Sequence, residues 1–143
     1  MKVRHFLSTV DHNRVHAAIK SAESGNSGDI VLYITHRKVK DALTTAHRTF
    51  RHLNLGRAAD QNSLLIFIAP KSQTFALVGG PALHEKVGQA WWDELVALLA
   101  GHFKEGRYTD GLVAALDRAG IALRQHFPST DTDRTGQQDI LEA

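Results

Sequence analysis

Two segments constrain this chain more than anything else in it. Asp29-Ile30-Val31-Leu32-Tyr33-Ile34-Thr35 and the run from Asn62 to Ala69 are each apolar on both faces and rich in branched side chains. That is the pattern of central strands covered on both sides. Between them Val39, Ala42, Leu43, Ala46, Phe50 and Leu53 line one face of a helix. Strand, helix, strand in that order predicts a parallel pair joined by a right-handed crossover. Pro70-Lys71-Ser72 then separates the second strand from Thr74-Phe75-Ala76-Leu77-Val78, which ends in Gly79-Gly80. So short a connection forbids a parallel crossover and leaves an antiparallel hairpin.

Helices account for the rest. Ser8-Thr9-Val10-Asp11 has the form of a capping box, and Val15, Ala18, Ile19 and Ala22 follow at helical spacing. The spacing predicts a first helix over about 9–24, stopped by Gly25-Asn26-Ser27-Gly28. Gly56 ends the second helix, and the polar loop Arg57–Gln61 leads into the second strand. Trp91, Leu95, Leu98, Leu99 and Phe103 make one helical face, with Trp92 its partner at the dipeptide. One ring there reads as a core knob, the other as an amphipathic surface ring. Gly106 interrupts before a helix over about 107–127, which Pro128 terminates. Residues 129–143 are polar and acidic, with Ile140-Leu141 as their apolar pair, and read as a frayed tail. The expectation is an α/β domain over 1–128, a three-layer α/β/α sandwich on a small mixed sheet, followed by the tail 129–143.

Composition narrows the function classes. At 143 residues, 43% hydrophobic and 22% charged, the chain is an ordinary globular domain, not a disordered or low-complexity one. It has no cysteine, which excludes disulfides, thiolate zinc sites and cysteine nucleophiles. No apolar run approaches the ~18–20 residues of a membrane helix, and the start MKVRHFLSTVDHN lacks a signal-peptide core. The expectation is a soluble, cytoplasmic protein with no membrane span. The net charge of +2 is uneven: residues 1–57 hold ten Lys/Arg against four acids, whereas 129–143 hold one against four. Lys38, Lys40, Arg48, Arg51 and Arg57 could meet nucleic acid or anionic lipid. No aromatic-plus-basic stripe accompanies them, so they read as a solvated helix face and no nucleic-acid partner is expected.

Strand direction supplies the candidate site. Parallel strands at 29–35 and 62–69 put Asp29 and Asn62 at one sheet edge, and the antiparallel third strand returns Gly79-Gly80 to it. That rim gathers Asp29, Asp60, Asn62 and the carbonyls of Gly79 and Gly80, the hard oxygen donors that Ca²⁺ or Mg²⁺ prefers. The competing reading makes Asp29 and Asn62 turn and cap residues. Among nine histidines, His12 and His16 stand i, i+4 without a third ligand, His47 and His52 fall on different faces, and no HExxH occurs. No P-loop, GxGxxG or GxSxG is present.

The order of these landmarks resembles the TPM domain family, which includes thylakoid-lumen proteins with acid phosphatase activity and photosystem II repair factors. The resemblance is carried by Ala22-Glu23 with Ser27-Gly28-Asp29-Ile30, Asn62-Ser63-Leu64-Leu65-Ile66 and Phe75-Ala76-Leu77-Val78-Gly79-Gly80. It continues through the Trp92 helix closing on Phe103, Gly106-Arg107-Tyr108-Thr109-Asp110-Gly111-Leu112, and Leu123 to Pro128. It implies an α/β/α sandwich, divalent-cation binding in some members and acid phosphatase activity in a few. It also implies an accessory or interaction role beside a protein partner in membrane or envelope maintenance. Two departures bear on activity. Gln73 stands where the family often carries Arg, and Asp29 replaces the commoner Glu, a carboxylate shorter by one methylene. The shorter carboxylate would retune or abolish a metal site, whereas the missing Arg, with no nucleophile motif in the chain, favours a cation-binding accessory module over a metal-dependent phosphatase.

Overall fold

A computed structural model describes residues 2–55, 61–129 and 140–143 of the chain. The elements run α1 (Val3–Thr9), α2 (His12–Glu23), β1 (Asp29–Ile34), α3 (Ala42–His52) and β2 (Ser63–Ala69). A 3₁₀ turn (Pro70–Ser72) leads to β3 (Thr74–Gly79), α4 (Pro81–Lys104), α5 (Tyr108–His126) and β4 (Ile140–Glu142). The sheet order is β3-β2-β1-β4. β1 and β2 are parallel and β2 and β3 antiparallel, as the helix-length crossover and the three-residue turn require.

Side-chain alternation divides the interior into two cores. Ile30, Leu32, Ile34, Leu64, Ile66 and Ile68 face one way, against α1, α2, α4 and α5. Val31, Leu65, Phe67, Ala76 and Val78 face the other, against Ala42, Ala46 and Phe50 of α3. The result is the expected α/β/α sandwich, with a four-helix layer on one side and a single helix on the other. Every residue of β2 is buried, which is why its sequence carries no polar alternation. Trp92 is buried and packs edge-on against the half-exposed Trp91, ring centroids 4.9 Å apart.

Three expectations are corrected. The single helix over 9–24 is two: Ser8 and Thr9 close α1, their hydroxyls donating to the carbonyls of His5 and Phe6. Asp11 opens α2, its carboxylate accepting from the Arg14 N–H at 3.1 Å. The cap therefore lies three residues later than the capping box suggested, because Phe6 and Val3 are drawn into the core and wind the preceding segment. The C-terminal segment is not all frayed tail, since Ile140–Glu142 pairs parallel with β1, Leu32 opposite Ile140. Ile140 joins one core and Leu141 the other, as alternation along a strand demands. Finally, Leu43, assigned to the buried face of α3, is 50% exposed. α4 is also broken at Gly88, whose φ of 79° lies outside the helical region.

Candidate functional site

The rim expected from strand direction exists. Asp29 lies opposite Ser63 in the parallel ladder, so Asn62, one residue earlier, sits at the same end. Alternation puts Asp29 and Ser63 on the α3 face with Val31 and Leu65. The Ser63 hydroxyl is fully buried with no hydrogen-bond partner among the described residues. Asn62 is 1% exposed and donates through Nδ2 to the Ser27 hydroxyl at 2.9 Å, which leaves its Oδ1 as an acceptor. A carboxylate and a hydroxyl thus share the α3 face where the first two strands begin, and Asn62 with Ser27 stands at the same end of the sheet.

Gly79 and Gly80 reach the same end but on the far side of β2. Two strand spacings, about 10 Å, separate β3 from β1. Gly80 donates its N–H to the Ser63 carbonyl at 2.8 Å, and its own carbonyl accepts from the His84 N–H at 3.0 Å. The Gln61 carbonyl accepts from Ala82 and Leu83 at 3.1 and 3.3 Å, closing the first turn of α4, whose N–H groups have no partner within the helix. Asp60 lies outside the described residues. Among those described, no three His, Asp or Glu side chains come together as a metal site. His12 and His16 lie exposed on α2.

Two buried polar residues, to which the sequence gives a place in a motif and a helix stop but no role at the site, hold the rim in place. Glu23, 4% exposed, accepts the Ile30 N–H at 2.9 Å and so anchors the start of β1. Asn26 accepts from the Gly28 N–H at 2.9 Å and donates to the Ala22 carbonyl at 2.7 Å. An Asn two residues before a Gly is a recognisable Asx-turn signal and could have exposed this role. Gly28 packs against Leu123, and the Ser27 N–H reaches the Phe127 carbonyl at 3.0 Å. The separated stretches Ser27-Gly28 and Leu123–Pro128 are therefore one packed unit.

Gln73 stands at the opposite pole. It follows the 3₁₀ turn in left-handed conformation, φ 50°, at the mouth of a pocket of about 450 Å³ lined by Phe6, Phe75, Phe103 and Tyr108. The length of β2, about 20 Å, separates it from Asn62. No side chain at position 73 reaches a group bound beside Asp29.

The family model of the TPM domain matches residues 2–122. Among solved structures, the chain is similar to the BA42 protein of the psychrophilic bacterium Bizionia argentinensis, solved by NMR. The two are 25% identical with a TM-score of 0.80, over 94% of this chain and 95% of that one. It is also similar to the N-terminal domain of a protein from P. gingivalis, at 14% identity and a TM-score of 0.62 over 84% and 82% of the two chains. That second likeness is one of fold. No curated protein matches.

Proposed function

The chain belongs to the TPM domain family, and from that premise we propose that it is an accessory or interaction module that binds a divalent cation, Ca²⁺ or Mg²⁺, where β1 and β2 begin. The observation that carries this reading is the oxygen set at the rim: the Asp29 carboxylate on the same sheet face as the buried Ser63 hydroxyl, which has no hydrogen-bond partner among the described residues, with Asn62 at the same strand end. Asp60, one residue before Gln61, would supply a second carboxylate. Hard oxygen donors suit a hard cation, and few charged ligands mean weak binding, in the micromolar to millimolar range. Gly79 and Gly80 would shape the rim rather than ligate.

The distance of Gln73 from Asp29 means that the residue at 73 does not bear on a phosphate at the rim. This reading is favoured over phosphoryl transfer because no nucleophile motif, such as GxSxG, occurs in the sequence. An aryl phosphate supplied with either metal should accordingly turn over little or not at all.

A thermal melt with and without the chloride salts tests the cation site. Saturating a site tenfold above its Kd adds about 1.4 kcal/mol, a gain of a few degrees for a chain of this size. Asp29→Asn and Asp60→Asn should each lose most of that gain, and amide NMR shifts should centre on residues 27–30 and 61–64. A wild-type midpoint that neither ion moves, or a full shift kept in both variants, overturns the proposal.

A further inference from the structure

β3 is the outer strand of the sheet on its side, and nothing in its sequence protects it. Thr74–Gly79 reads TFALVG, with no charge and no proline, although edge strands are usually guarded by such residues. The Gly80 N–H bonds the Ser63 carbonyl across the pair. Antiparallel alternation then turns Val78 and Ala76 toward β2, and Phe75, Leu77 and Gly79 present their N–H and C=O groups outward. These groups form the floor of a groove of about 690 Å³ between α3 and α4. Its lips carry Leu43 and Val96, 50% and 40% exposed, two of the three large apolar side chains exposed among the described residues.

We propose that this groove binds an extended peptide segment of another protein, which adds to β3 as a fifth strand and carries alternating apolar and acidic side chains. Strand addition draws its affinity from main-chain hydrogen bonds and its selectivity from the pockets that alternate side chains meet. Of the two walls, only the α4 wall carries an acid among the residues that line the groove. α3 carries His47, Arg48, Arg51 and His52 and no acid from Ala42 to His52, with His47 lining the groove. On α4, His84, Gln89, Trp92 and Val96 line it beside Asp93. An added strand points successive side chains at opposite walls. Acidic residues complement the α3 side, and apolar residues suit Trp92 and Val96, where Asp93 repels acids. A second copy of this chain fits less well. Ala76, Leu77 and Val78 are buried, so the edge is recessed, and two recessed edges cannot meet. Two-fold antiparallel pairing would also set α3 beside α3, cation against cation. This inference stands apart from the cation rim, because it uses the outer edge of β3 and not the starts of β1 and β2.

The test uses an acetylated, amidated octapeptide of alternating glutamate and valine, titrated into the labelled protein by amide NMR. Binding should shift the amides of Phe75, Leu77 and Gly79 and slow their hydrogen exchange. The lysine–valine counterpart should bind about tenfold more weakly, and methylating alternate backbone nitrogens of the glutamate–valine peptide should abolish binding. Leu43→Asp and Val96→Asp replace exposed side chains, so both variants should keep the wild-type circular dichroism while losing the peptide. Equal binding of the N-methylated peptide, equal affinity for the two charge types, or no shift at β3 with millimolar peptide overturns the proposal. So does a concentration-dependent dimer that Leu43→Asp dissolves, which would make a second copy the occupant.

Discussion

A methyl group placed at Gly80 would overlap the carbonyl oxygen and carbon of Gln61. Both are backbone atoms, and that same oxygen closes the first turn of α4, so neither partner yields. Gly80→Ala should therefore destabilise by about 3 kcal/mol. Gly101 provides the opposite case. It lies in α4 with nothing within 4 Å of a built Cβ, and Gly101→Ala should stabilise by about 0.5–1 kcal/mol, because alanine removes backbone freedom from the unfolded chain. Urea unfolding of the two variants checks both signs. Gly79-Gly80 was legible in the sequence as a turn at the rim. That its second member is needed for close backbone approach was not, because Gln61 stands nineteen positions earlier.

At the scale of elements, α2 and α3 begin alike. Asp11 accepts from Arg14 N–H and Asp41 from Thr44 N–H, each at 3.1 Å, and each satisfies one of the donors left over at a helix start. Asp11→Ala and Asp41→Ala should each cost about 1 kcal/mol. The two helices pack on opposite faces of the sheet, so the double variant should lose the sum to within about 0.5 kcal/mol. Denaturant midpoints at constant m-value measure this. A loss well beyond the sum would mean that the two helical layers are coupled through the sheet. The Asp11 cap also explains why the sequence reading merged α1 with α2. Ser8, Thr9 and Asp11 are all good cap residues, and local chemistry alone does not choose between closing one helix and opening the next. Burial of Val3 and Phe6, with Phe6 stacked edge-on to Tyr108 at 5.1 Å, makes that choice from the other end of the chain.

For the whole molecule, the telling element is β4. Three residues carry no strand signal of their own, yet Ile140–Glu142 extends the sheet, and Ala143 accepts from His36 N–H at 2.8 Å and donates to the Ile34 carbonyl at 3.0 Å. Removing the last four residues should cost about 2 kcal/mol in half-buried apolar surface and lost hydrogen bonds, lowering the melting midpoint by about 6 °C. Calorimetry that shows an unchanged midpoint would mean that β4 rests on the sheet without stabilising it. By itself the sequence determined what short-range pattern can encode: strands buried on both faces, a helix between them, a three-residue turn after them, and hence the strand directions that bring Asp29 to Asn62. Tertiary structure alone decided the rest. It recruited β4 to β1, split α1 from α2, set Gln73 the length of β2 away from Asp29, and left β3 recessed between α3 and α4. Each of these depends on contacts between residues far apart in the chain, whose free energy exists only once the sheet has formed to receive them.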